Sequence, residues 1–142
     1  MLAPYLIVLV GFYYFFIVGL GIFMFLSRTK GVQQGRVDFR YFKTYDGEVP
    51  NDLKVIENNF NNQFQLPVIF MITCLAGIQF NTVSTIFFSL ACLFVISRMI
   101  HSYVHITSNK LMLRAGTYFS GVFMVAGLWL LIMLRAMAGI VI

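Results

Sequence analysis

Four apolar runs dominate this chain: Leu2–Leu26, Leu66–Phe80, Val83–Ile96 and Gly116–Leu134. A helix needs ~20 apolar residues to cross ~30 Å of hydrocarbon, so each run is a candidate membrane span. With 60% hydrophobic and 11% charged residues and a mean hydropathy of +0.86, the composition lies outside the soluble globular range. The 142 residues hold about four spans with their loops and leave no room for a separate soluble domain. The expected fold is all-α: an integral membrane four-helix bundle, one domain over residues 1–142, with helices at about 2–26, 52–80, 83–107 and 111–137.

The second and third runs are short, but each has a polar extension, Asn58–Gln65 and Ser97–Asn109. These read as helix ends that pass through the interface or face other helices. The first run lacks the basic start, short apolar stretch and small-residue cleavage site of a signal peptide, and is expected to remain as the first span.

Loop charges set the orientation. Arg28, Lys30, Arg36, Arg40, Lys43 and Lys54 lie between the first and second spans, Lys110 and Arg114 lie near the junction of the third and fourth, and the Gln79–Ser84 turn is uncharged. The positive-inside bias makes the first and third loops cytoplasmic and puts both termini on the opposite face, with Arg135 alone against it. In a bacterial cell this would be the cytoplasmic (inner) membrane. The net charge of +5 is mostly this topogenic bias. A nucleic-acid interface would interleave basic with exposed aromatic residues, whereas the loop after Ser27 mixes both signs, so no nucleic-acid partner is expected.

Cys74 and Cys92 fall inside apolar runs with no CxxC or Cys/His spacing and read as small packing residues. The one long loop, from Ser27 to about Val49, suggests a turn at Asp46-Gly47 and a helix start near Pro50–Asp52, with Asn51 as the cap.

A helix starting near Asp52 carries six carboxamides, Asn58, Asn59, Asn61, Asn62, Gln63 and Gln65, towards the membrane. Asn58, Asn62 and Gln65 share one face at i, i+4 and i+7, with Asn61 beside them. Each unpaired amide away from water costs on the order of 1 kcal/mol or more, so this face should meet a partner or a polar ligand and not lipid. Pro67 then removes a backbone donor, frees a carbonyl around Gln63 and favours a local bend. Simple interhelical amide glue is the plainer reading of this stripe.

On the third span Arg98, His101, His105 and Ser102 lie on one stripe, and Arg98 is ~22 Å along a helix entering at Val83. On the fourth, Arg114 precedes Tyr118 by one turn and Gly121 follows one turn later. Two guanidiniums, a phenol and two imidazoles thus share one membrane depth with the amides, which makes a functional site the default hypothesis. The plainer alternative is snorkelling of Arg98 and Arg114 to the interface. The His101/His105 pair has the spacing of metal ligands, but two ligands do not close a zinc site, and a haem held between helices would need histidines on two of them. No metal is expected.

These residues, in this order and spacing, resemble the MAPEG family, the membrane-associated proteins in eicosanoid and glutathione metabolism, especially its bacterial branch. The resemblance covers nearly the whole chain: four spans, a long first cytoplasmic loop, an Asn-containing motif ahead of Pro67, Arg98-x-x-His101 on the third span, and Arg114 with Tyr118 on the fourth. It implies a homotrimer of four-helix bundles with glutathione as co-substrate between subunits on the cytoplasmic side. Arg114 would then stabilise the glutathione thiolate as the catalytic residue, and Asn62, Gln65, Arg98, His101 and Tyr118 would bind the tripeptide or brace it.

Three positions depart from the family pattern. Its Arg-Asn-x-x-Glu motif reads Asn61-Asn62-Gln63-Phe64-Gln65 here, and a tyrosine expected on the third span is His105. Gln65 keeps an acceptor oxygen but loses the charge-assisted bond to the ligand ammonium. Two functions follow: a glutathione transferase or peroxidase acting on lipophilic electrophiles from the bilayer, or a non-catalytic membrane protein that binds a lipid or small polar ligand between subunits or serves as a partner subunit. Arg114 and Tyr118 favour the enzyme.

Overall fold

The computed structural model describes residues 2–45 and 47–140, without the side chain of Ile140. Helix α1 spans Ala3–Gln33, with a proline in its first turn, where the missing N–H leaves no bond unmade. It runs seven residues beyond the expected end at Leu26, because nothing in Ser27–Gln33 breaks a helix and its polar side chains can reach water. The stop comes at Gly35. Its φ of 67° allows Gly35 N–H and Arg36 N–H to bond back to Val32 O and Gly31 O, each at 2.9 Å, satisfying the last carbonyls.

The first loop then folds against the protruding end of α1. A single turn, α2 (Tyr41–Thr44), ends at left-handed Tyr45, and Val37, Tyr41 and Leu53 form a small satellite core. Of the expected turn, Gly47 has a φ of 113°, while Asp46 lies outside the described residues. Helix α3 covers Asn51–Asn61, and extended Pro50, not Asn51, holds its cap position. Arg36 Nη2 donates to Asp52 Oδ1 at 2.7 Å, pinning the loop to the start of α3.

The continuous helix expected over 52–80 is interrupted. Asn62–Phe64 tighten into a 3₁₀ turn, Gln65 adopts φ −104°, ψ −105°, and α4 restarts over Leu66–Gln79 with a proline in its first turn. Pro67 is the physical cause, since it cannot donate to the carbonyl four residues back and its ring collides with that turn. Gln65 O instead accepts from Val68 N at 3.2 Å and opens the new helix.

Helix α5 spans Thr85–Ile106, capped by Ser84 Oγ, which accepts from Phe87 N. Helix α6 spans Leu111–Ile140. Among the described residues three helices, α1, α5 and α6, are long and apolar enough to cross a membrane. Helix α4, with 14 residues, is ~21 Å long and falls short alone.

The helices pack around Leu6, Tyr13, Phe70, Phe87, Phe94 and Leu128, all fully buried, with α5 and α6 in the most extensive contact and α4 against α6. The Phe70 and Phe94 rings stack at 4.1 Å, and Phe87 lies directly on Gly77, where a Cβ would overlap its ring. The outer surface is apolar as well: Val8, Phe15, Phe25, Phe123 and Met133 are exposed, as a lipid-facing bundle requires.

Candidate functional site

Helix α5 carries the largest group of polar side chains that this apolar bundle buries. Arg98, His101, Ser102 and His105 are all buried, on the stripe that the sequence spacing predicts, and Ser97 is buried beside them. The α5–α6 turn is short, so α6 returns against this stripe. His101 Nδ1 lies 3.1 Å from both Arg114 O and Thr117 Oγ1. A carbonyl only accepts, so Nδ1 carries the proton in the neutral ring. Nε2 is then a bare acceptor, and it has no partner.

A cleft of about 250 Å³ opens beside this contact, lined by Asn62, His101, Leu111, Arg114, Ala115, Tyr118 and Phe119. Four of the six candidate site residues, Asn62, His101, Arg114 and Tyr118, therefore meet in one place, contributed by the 3₁₀ turn, α5 and α6. Arg98 does not line the cleft. It is fully buried, with its guanidinium 5.6 Å from the centre of the Tyr118 ring, so it reaches the cleft only through that ring. Gln65 also lies outside the cleft, exposed at the helix break with Asn58 and Asn61.

The inward amides are the two that the spacing argument left aside, Asn59 and Gln63. Gln63 Oε1 accepts from the Tyr13 hydroxyl at 2.8 Å, while Nε2 donates to Asn59 O at 3.0 Å and to Ser102 Oγ at 3.1 Å. One amide thereby ties α1, α3 and α5 together. Its separation of four from Asn59 was the available signal, but spacing alone does not say which face of a six-amide stretch turns inward; the contacts with Tyr13 and Ser102 do.

Charge at the site is one-sided. All five acidic side chains lie between Asp38 and Glu57, and Glu57 is engaged by Arg28 at 3.5 Å and Lys54 at 4.0 Å. Arg98 and Arg114 thus stand in a half of the chain without a carboxylate side chain. All three guanidinium nitrogens of Arg98 lack a partner among the described residues, as do Nε of Arg114 and both ring nitrogens of His105. Such a site draws anions and acceptors. The His101 and His105 rings, 5.8 Å apart, are a poor setting for a metal cation beside two guanidiniums.

The MAPEG family model matches residues 2–134. The chain belongs to the MAPEG family. No curated protein and no solved structure matches it. Family membership together with three span-length apolar helices makes this an integral membrane protein, and the cleft of this MAPEG protein opens where the helix break, the α5 stripe and the start of α6 share one level.

Proposed function

We propose that this MAPEG protein is a glutathione-dependent transferase or peroxidase acting on lipophilic electrophiles. The observation that carries the reading is the convergence of Asn62, His101, Arg114 and Tyr118 on one cleft with cationic surroundings and no acid. A free thiol with a pKa of ~8.5 is mostly protonated at neutral pH, and a guanidinium at the first turn of α6, where the backbone dipole also favours an anion, stabilises the thiolate. In conjugation the thiol proton passes to solvent, the sulfur forms a bond to the electrophilic carbon, and the leaving group departs with the bonding pair. In the peroxidase variant two glutathiones supply two electrons that break the O–O bond of a hydroperoxide, their thiol hydrogens end in the alcohol and water formed, and they leave as the disulfide.

The working assembly in this reading is a homotrimer of four-span subunits, the second span being α3 and α4 with their break, and both termini are non-cytoplasmic. Asn58, Asn61 and Gln65, exposed on an apolar bundle, then face a neighbouring subunit and complete the cleft wall. A non-catalytic reading draws support from the same wall: no carboxylate is present to pair with the glutathione ammonium, so a simpler anion such as a lipid headgroup is the alternative ligand.

Calorimetry with glutathione on detergent-solubilised protein, read alongside the ultraviolet thiolate band and conjugation of an activated aryl chloride, separates the two. The enzyme reading expects binding, a thiolate band and chloride release in the wild type. Arg114→Ala loses band and turnover from an intact assembly, and Arg114→Lys keeps part of both. Glutathione binding with no thiolate and no turnover sinks it.

A further inference from the structure

Arg114 carries a long side chain at a half-exposed position, and a guanidinium there needs something to fix its plane before it can present a defined edge to a ligand. That fixture is in the α5–α6 turn. Arg114 Nη1 donates to Asn109 Oδ1 at 2.7 Å. Asn109 is itself held: its φ is 48°, a left-handed conformation that asparagine tolerates better than most residues, and its N–H donates to Val104 O at 2.8 Å. With Nη1 occupied, the edge formed by Nε and Nη2 remains free, and Nε is buried without a partner.

We propose that Asn109 is a positioning residue of the site: by taking Nη1 it turns the Nε–Nη2 edge of Arg114 towards the cleft, where both N–H groups donate to one anionic sulfur. The inference rests on the reading of Arg114 as the thiolate-stabilising group. The tether must be neutral. Besides Arg114, the charged and titratable groups around the cleft are Arg98, His101 and His105 from α5, Tyr118 from α6 and Lys110 from the turn, and Asn62 adds only an amide. A carboxylate at 109 would hold the same nitrogen but place a negative charge one hydrogen bond from the group meant to favour the thiolate.

The test is a titration of bound glutathione by its thiolate absorbance in the full-length protein, with steady-state conjugation of an activated aryl chloride. Asn109→Gly keeps the left-handed backbone and removes the tether. It is expected to move the thiol ionisation to higher pH and lower kcat about tenfold with KM little changed, as loss of one charge-assisted bond predicts. Asn109→Asp keeps both backbone and tether and tests the neutrality of the tether: its added negative charge is expected to move the ionisation upward, and an Asn109→Asp protein that binds glutathione with unchanged ionisation overturns that requirement. An Asn109→Gly protein that binds glutathione and matches the wild type in ionisation and kcat overturns the proposal. If Arg114→Ala abolishes the band while Asn109→Gly leaves it intact, only the positioning role falls. A wild-type protein that binds glutathione without thiolate overturns the reading of Arg114 and this inference with it.

Discussion

Removing a guanidinium wholly from water without giving it an acceptor costs several kcal/mol, and Arg98 is in that position within one chain. Its cation–π contact with Tyr118 returns only ~2 kcal/mol, so folding alone does not explain an arginine there. Replacing it with an apolar side chain of similar length should therefore spare the fold: Arg98→Met is expected to leave the thermal midpoint in detergent unchanged or higher while weakening binding of an anionic ligand. A midpoint lowered by more than a few degrees would mark Arg98 as a structural residue. Gln63 behaves in the opposite way, because its three hydrogen bonds satisfy Tyr13, Asn59 O and Ser102 inside the bundle. Gln63→Leu should cost about 2 kcal/mol by leaving those groups unpaired, seen as a lower unfolding midpoint. A double variant with Tyr13→Phe should lose less than the sum, since the phenol no longer seeks an acceptor.

Between elements, close approach is set by glycines at the contacts. Gly77 leaves the room on α4 that the Phe87 ring fills, and Ala there would drive a methyl group into that ring. Gly77→Ala is expected to destabilise by ~1–3 kcal/mol through overpacking, and shortening the facing ring with Phe87→Leu should recover part of the loss in a thermal melt. At the solvent end the first loop is tied to α3 by Arg36 and Asp52, and the guanidinium holds the Asp52 carboxyl below its usual range. A carboxyl depressed on folding stabilises the native state above its unfolded value, and that contribution disappears as pH falls through the folded one. The pair is exposed, so the effect is small and screened by salt. Asp52→Asn should loosen protease protection of the first loop slightly at neutral pH and make no difference in strong acid.

For the whole molecule, the charge distribution and the proposed trimer make separate predictions. With Cys74 and Cys92 replaced, a cysteine at exposed Arg135 should react with an impermeant reagent from the non-cytoplasmic side, and one at exposed Lys43 from the cytoplasm. The reverse pattern would invert the topology without touching the fold. Crosslinking through the exposed amide face, with cysteines at Asn58 and Gln65, should accumulate trimers. Crosslinking that saturates at dimers would remove the neighbouring subunit from the proposed cleft wall.

The sequence alone determined that the chain is a helical membrane protein, because apolar runs of span length leave the backbone no other way to satisfy its hydrogen bonds in hydrocarbon. It also placed Arg98, His101, Ser102 and His105 together, since a helix of regular period carries its faces along with it. That regularity failed at Pro67, which ends the run of helix at Gln65, and among the amides Asn59 and Gln63 face inward while Gln65 and Asn58 lie outside. No local rule specifies which amides turn inward; packing against Tyr13 and Ser102 decides it. The tether from Asn109 to Arg114 was equally hidden, since neither composition nor spacing indicates where a side chain in a turn will reach. The sequence therefore supplied the groups and the helix faces that carry them, and the tertiary structure chose which of them meet, because contacts between helices depend on breaks and turns whose geometry only the packed bundle fixes.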